Sequence, residues 1–325
     1  MNTGKSVFGS MAAALAVIAS AASAQTAYPS KPVRVIVAFA AGGFADRTAR
    51  LLGQKLGERL GQPFVMDNRG GAGGNIATRN VAESPPDGYT LLVHTAAVSI
   101  NVSLYKDAGF DLEKDLVPVA MTGSAPGLFT VSASNPANSL RELIAAAKAS
   151  GKPLAYATAG VGTSSHLAAE YLFATLAGVP SNHIPFKGGA PATTAVLGGQ
   201  VELLSASMGG ALPFIKQGKM KALAISSLTR VDELPNVPTV SESGFPGFEE
   251  RSWVAFFAPV KTPAAVVSRL NEEINRILAI AEVRATLISQ GTEVTPLSQQ
   301  AFAEKVSREI ALWRKIVDVT GAKPE

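Results

Sequence analysis

Val33-Arg34-Val35-Ile36-Val37-Ala38-Phe39-Ala40-Ala41-Gly42-Gly43-Phe44-Ala45-Asp46 is a buried strand that turns, at two glycines, into a helix. Val33 to Ala40 is a nearly continuous apolar run, as expected of a strand covered on both faces. Beyond the glycines, Ala45, Ala49, Leu52, Leu56 and Leu60 recur at helical spacing, and Gly61 stops the run. Strand, Gly-rich turn and helix form the repeating unit of α/β folds built on largely parallel sheets.

The unit recurs along the chain. Phe64-Val65-Met66 reads as a second strand and Asn75 to Glu83 as a helix. Pro85-Pro86-Asp87-Gly88 reads as a turn and Tyr89 to His94 as a third strand. Val117 to Met121, Leu128 to Ser132, Leu154 to Ala157, Val201 to Ser205 and Lys221 to Ser226 are further strands. Ser139 and Glu142 have the spacing of a capping box, opening a helix to Ala149. Thr262-Pro263 reads as an N-cap with proline at the first helical position, followed by Val267, Leu270, Ile274 and Ile277 on one face. A last helix is expected from Ser298 to Val319.

A strand, Gly-rich loop and helix near residue 43 are echoed near residue 162, which suggests two α/β lobes. The segments around Pro126-Gly127 and from Pro246-Gly247 to Trp253 are the expected crossings. The expected division is residues 1–24 as a signal peptide, 25–124 with 251–325 as one lobe, and 125–250 as the other.

The signal peptide rests on order. Lys5 is the only charged residue before Lys31, an apolar run from Met11 to Ala22 follows, and Ala22-Ser23-Ala24 resembles a cleavage site. The apolar core is too short to span a bilayer comfortably, so no membrane span is expected after cleavage. The 325 residues include no cysteine, which excludes disulfides, thiol nucleophiles and Cys-ligated metals. The net charge is +4 with only 17% of residues charged, and the basic ones are scattered, so nucleic-acid binding is not expected.

Two loops are candidates for chemistry. Ala41-Gly42-Gly43-Phe44-Ala45-Asp46 lets the backbone approach a ligand at a positive helix end, which suits a carboxylate or phosphate. It reads equally as a tight turn, with Asp46 pairing with Arg50 one helical turn on. Ala159-Gly160-Val161-Gly162-Thr163-Ser164-Ser165-His166 also follows a strand and opens a helix. Its amides and hydroxyls suit an anion without formal positive charge; Ser164 or Ser165 capping the helix is the plainer reading, and both can hold at once. In a third loop, Arg69-Gly70-Gly71-Ala72-Gly73-Gly74, Ile76 stands where a dinucleotide fingerprint needs its third glycine, and no Walker lysine follows, so no nucleotide cofactor is expected.

Catalysis finds little support. His94, His166 and His183 are isolated and lack metal-ligand spacing. No G-x-S-x-G elbow is complete, since Ser205 replaces the first glycine before Ser207-Met208-Gly209. Glu249-Glu250 falls in an expected loop and reads as solvated. The rival readings are a secreted α/β hydrolase using Ser164 or Ser165 with His166, and a ligand sensor for a membrane kinase.

The same loops carry a resemblance. Tyr28-Pro29-Ser30-Lys31-Pro32, Gly42-Gly43-Phe44-Ala45-Asp46, Asp67-Asn68-Arg69, Gly71-Ala72-Gly73-Gly74-Asn75 and Pro86-Asp87-Gly88-Tyr89-Thr90-Leu91-Leu92 occur in order. Ser165-His166-Leu167-Ala168, Pro185-Phe186-Lys187-Gly188, Leu197-Gly198-Gly199-Gln200-Val201-Glu202 and Leu234-Pro235-Asn236-Val237-Pro238-Thr239-Val240 follow. The set resembles the substrate-binding receptors of tripartite tricarboxylate transporters, the Bug family, over essentially the whole chain after residue 24. The resemblance implies a periplasmic, non-enzymatic, two-lobed flytrap without metal or cofactor. It would close on a small carboxylate (dicarboxylate, tricarboxylate or aromatic acid) and deliver it to membrane permease subunits.

The ligand-binding residues it implies are Ala41, Gly42, Gly43, Phe44 and Asp46 in one lobe and Gly162, Thr163, Ser164 and Ser165 in the other. Thr95 and Ser207 are placed second. Asp46 is expected to shape its loop, since it would repel a carboxylate. Many members carry an Asp-Asn pair where this chain has Ala206 and Ser207. That departure points to a ligand without an ammonium group.

Overall fold

The computed structural model describes residues 28–320, so the signal-peptide reading of residues 1–24 lies outside the described residues. Among these residues nine strands form the framework: β1 (Val33–Val37), β2 (Phe64–Asn68), β3 (Thr90–Thr95), β4 (Leu116–Ser132), β5 (Leu154–Thr158), β6 (Ser181–Pro185), β7 (Leu203–Ser207), β8 (Met220–Ile225) and β9 (Arg251–Pro259). They follow the order β2-β1-β3-β9-β4-β7-β5-β6, with β8 also paired to β4.

Each lobe contains a parallel trio, β2-β1-β3 in the first and β6-β5-β7 in the second; β6 and β9 are strands that the sequence reading did not include. The strands between them are antiparallel, so both sheets are mixed. The cause is β4. Two short strands were expected at residues 117–121 and 128–132, but one 17-residue strand runs through both lobes. Its first part pairs with β9 as far as Pro126–Arg251, and from Gly127–Ser207 onward it pairs with β7. Pro126 lacks an N–H and Gly127 lacks a side chain, so the change of partner falls where the strand is least committed to one sheet. β9 then runs back into the first sheet.

The apolar cores divide in the same way. One cluster draws on residues 33–121 and 253–310; two others draw on residues 128–248. Val35, Ile36 and Val37 of β1 are wholly buried, each contributing about 1.5–3 kcal/mol relative to exposure. Among the helices, Phe44–Leu60 ends at Gly61 in the left-handed conformation, as its sequence requires. Ser139 caps Leu140–Ser150 by accepting the Glu142 N–H at 3.1 Å. Thr262 does not cap the helix Ala264–Leu278: its hydroxyl has no hydrogen-bond partner and Pro263 occupies the cap position. Among the described residues, no helix is long and apolar enough to cross a membrane.

Candidate functional site

A cleft lies between the two sheets. From the first lobe it is lined by Phe39, Gly43, Phe44, Ala45 and Thr95. The second lobe supplies Ala159, Thr163, Ser164, Ser165, Gly189, Ala206, Ser207 and Gly210, and Ser252 comes from β9. Seven of the sequence-predicted residues therefore line it: Gly43, Phe44, Thr95, Thr163, Ser164, Ser165 and Ser207. Ala41, Gly42, Asp46 and Gly162 do not.

Asp46 explains its own loop. Its carboxyl is buried and accepts from Gly42 N at 2.8 Å, Asn68 Nδ2 at 2.8 Å and Arg50 Nε at 3.0 Å. Burial alone would push this carboxyl up, but the bonds from Arg50, Gly42 and Asn68 outweigh it and hold the group below its ordinary value. The i,i+4 pair with Arg50 and the loop-shaping role occur together.

Thr163 caps the helix Ser164–Glu170, accepting the His166 N–H at 3.3 Å. This differs from the expectation that Ser164 or Ser165 supplies the cap, and it leaves both serines facing the cleft. Gly162 belongs to the contact between lobes instead. Its φ is +75°, and a Cβ there would lie 2.0 Å from Asn101 Oδ1 of the first lobe.

The third glycine loop, which carries no nucleotide motif, has the same purpose. A Cβ on Gly73 would lie 2.3 Å from Val161 O, and one on Gly70 2.5 Å from Lys187 O. The lobes are joined there by a backbone bond from Ala40 N to Lys187 O of 2.8 Å, and further along by Arg47 Nη2 donating to Gly209 O. Glycine marks the places where the two backbones meet.

Sequence reasoning found two helix starts at the cleft; the structure has four. Gly43 precedes Phe44–Leu60, Thr163 precedes Ser164–Glu170, Gly188 precedes Gly189–Leu197 and Ser207 precedes Met208–Lys216. The first N–H groups of a helix have no acceptor within it and carry its positive end. Lys187-Gly188-Gly189 and Ser207-Met208-Gly209-Gly210 were the available signals: a strand running into glycines. Among the described residues, no Lys or Arg lines the cleft, and no Asp or Glu either.

Two of the three histidines are not isolated. His166 and His183 stack with ring centroids 4.0 Å apart. His166 Nδ1 accepts from Gly162 N at 3.3 Å, and His183 Nε2 meets Thr158 Oγ1 at 2.7 Å. Burial pulls His166 down to about 4, against the opposing pull of Glu170, and pulls His183 down to about 3 with help from His166. Among the described residues no hydrogen bond joins His166 to Ser164 or Ser165; Ser165 Oγ instead meets Thr163 Oγ1 at 3.2 Å. Among the same residues no group of three acidic or imidazole side chains is placed to hold a metal. Glu250 contradicts its reading as solvated: it is half-buried, and its carboxyl turns inward to accept from Ser226 Oγ at 3.1 Å.

Two α/β lobes sharing long strands, with helix starts converging on a cleft between them, define a solute-binding protein. Residues 48–322 match the tripartite tricarboxylate transporter family receptor, and the chain belongs to that family. It is similar to the periplasmic binding protein BugD, at 35% identity and a TM-score of 0.88 over 92% of this chain and 100% of that one. The Rhodopseudomonas palustris protein Rpa4515, solved with adipate, shares 34% identity with a TM-score of 0.87 over 92% and 100% of the two chains. MatC from the same organism, solved with bound malate, shares 33% identity with a TM-score of 0.83 over 89% and 100%.

Proposed function

We propose that this protein is exported, captures a small non-amino carboxylate between its lobes and hands it to the membrane subunits of a tripartite transporter, without chemically changing it. The observation that carries this reading is the convergence of four helix starts on a cleft lined by hydroxyls and backbone amides. Such a site suits an anion: the charge meets several partial positive ends and N–H groups, and no cationic side chain has to be desolvated. Gly43, Phe44, Thr163, Ser164 and Ser165 form the grip, with Thr95 and Ser207 beside it. The solved relatives with adipate and malate support the carboxylate class. Ala206 and Ser207 offer an ammonium group no acidic partner, which favours di- or tricarboxylates and aromatic acids over acidic amino acids.

Capture proceeds by hinge closure. The backbone bond from Ala40 to Lys187 and the Arg47–Gly209 contact are formed between lobes, so the closed form carries contacts that an open form lacks. A permease can distinguish the two.

The test is thermal denaturation of refolded, ligand-free protein against a panel of di-, tri-, aromatic and amino carboxylates. A ligand at about 100 times its Kd adds about 2.7 kcal/mol of stability. That should raise Tm by roughly 5 °C in a chain of this size. No response to any carboxylate would defeat the proposal, and tighter binding of aspartate or glutamate than of malate would defeat its non-amino part.

A further inference from the structure

Pro213 lies inside the helix Met208–Lys216, whose start is one of the four at the cleft. A helical N–H donates to the carbonyl four residues back, and proline has no N–H to donate. The Gly209 carbonyl therefore lacks its usual partner within the helix, and the proline ring crowds it outward. A donor comes from the other lobe instead: Arg47 Nη2 donates to Gly209 O.

The seam around this bond is tight. A Cβ on Gly209 would lie 2.8 Å from Gln290 O, 3.2 Å from Arg47 Nη2 and 3.6 Å from Phe44 Cδ2, all of the first lobe. Across the same seam, a Cβ on Gly291, where φ is +78°, would lie 2.4 Å from Met208 Cε. The bond and the packing around it therefore form together when the lobes meet. Ser207 and Gly210, on either side of Met208-Gly209, line the cleft, and so does Phe44, one helical turn before Arg47. The bond stands beside the anion site without being part of its lining.

Arg47 is otherwise short of partners. It is half-buried, its Nε is buried without a hydrogen-bond partner, and it makes no ion pair with any described residue. Asp46, its neighbour in sequence, is committed to Arg50, Gly42 and Asn68. Burial draws the guanidinium below its ordinary value, against the opposing pull of Asp46. A guanidinium fork is suited to a carboxylate, yet this one meets a single backbone carbonyl. A positive charge is left over, one turn behind Phe44.

We propose that Arg47 and Pro213 together form the latch of the closed state, and that the latch reads the charge of the ligand. Pro213 leaves the Gly209 carbonyl open, Arg47 fills it only when the lobes meet, and an anion in the cleft supplies the negative charge that Arg47 lacks. Arg47 acts as a positioning residue, because it lies outside the lining. A bond made only in the closed form raises affinity by the factor through which it shifts the closing equilibrium.

This inference rests on the carboxylate reading above. Its probes are adipate and malate, with affinity read by calorimetry and closure by the fall in radius of gyration in solution scattering. Arg47→Met loses both bond and charge, and should bind the acids about 10- to 100-fold more weakly, with less compaction. Arg47→Lys keeps the charge and a donor, and should recover part of that loss. Pro213→Ala restores an N–H to the helix, so the Gly209 carbonyl is taken and turns back along the axis. It should raise the ligand-free Tm, as removal of a proline from a helix interior does, and yet weaken binding about tenfold. A general packing defect would instead lower Tm and affinity together. The latch is overturned, with the function left standing, if Arg47→Met binds and compacts as wild type does, if Arg47→Lys binds no better than Arg47→Met, or if Pro213→Ala binds as wild type does. Failure of every carboxylate in the panel to bind wild type would overturn both.

Discussion

Gly70→Ala is expected to weaken carboxylate binding about 100-fold while leaving each lobe folded. Gly70 follows β2 in the first lobe, and its φ lies outside the region reserved for glycine. Alanine therefore costs no backbone strain. The added Cβ would meet Lys187 O of the second lobe at 2.5 Å and Lys187 Cβ at 3.2 Å, with Ala40 N at 3.4 Å. An ordinary contact needs nearly 1 Å more, and a backbone carbonyl has no rotamer by which to yield. The lobes must separate, breaking the 2.8 Å bond from Ala40 to Lys187. Overpacking of this kind costs about 1–3 kcal/mol. At the upper end that is about a hundredfold in affinity, since only the closed form brings the helix starts of both lobes to one anion. Calorimetry with a bound acid should show the loss, and solution scattering should show a larger radius of gyration in the presence of ligand than wild type has. The ligand-free Tm should hardly move. If Gly70→Ala closes and binds as wild type does, the contact at Lys187 is not part of closure.

How much of this was readable in the sequence follows from where each signal resides. The β1–Gly42-Gly43–helix unit was legible because strand periodicity, glycines and helix periodicity lie within one short stretch, and local rules suffice there. β4 was read as two strands because Thr122, Ser124, Pro126 and Gly127 interrupt its apolar pattern. Only its two different partners, β9 and β7, make one continuous strand of it. The helix starts at Gly189 and Met208 were missed because Gly189–Leu197 is rich in small residues with little amphipathic contrast, and Met208–Lys216 opens on Gly209-Gly210 and carries Pro213 inside it. The glycines of residues 70–74 and 160–162 announced close backbone approach, but sequence alone cannot say whether the approaching group is a nucleotide, an anion or another loop. Here much of it is the opposite lobe. Glu250 reads as solvated beside Glu249, and Glu249 is exposed. What turns Glu250 inward is the space left by Gly127, 123 positions earlier in the chain.

Asp46→Asn is expected to destabilise the protein by about 3 kcal/mol, a fall in Tm of roughly 5–10 °C, although the replacement is nearly isosteric. The native carboxylate uses both oxygens: Oδ2 accepts from Gly42 N and Arg50 Nε, and Oδ1 accepts from Asn68 Nδ2. Asparagine supplies one acceptor oxygen. If that oxygen takes the place of Oδ2, its amide nitrogen faces the Asn68 amide nitrogen, donor against donor. Asn68 cannot relieve this by flipping, because its Nδ2 also donates to Phe39 O at 2.9 Å and its Oδ1 accepts from Arg50 Nη2 at 3.0 Å. If the oxygen instead faces Asn68, the Gly42 amide and the Arg50 guanidinium lose their acceptor, and the turn that presents Gly43 and Phe44 to the cleft loses its tie. The pH dependence separates this from a general packing defect. Asp46 is held below its ordinary value in the folded protein, so its contribution is present above the unfolded pKa and is lost as pH falls through the folded one. The stability difference between wild type and Asp46→Asn should therefore be full at neutral pH and shrink progressively below about pH 4. A difference that stays constant as the solution is acidified would show that the carboxylate charge does not hold this loop.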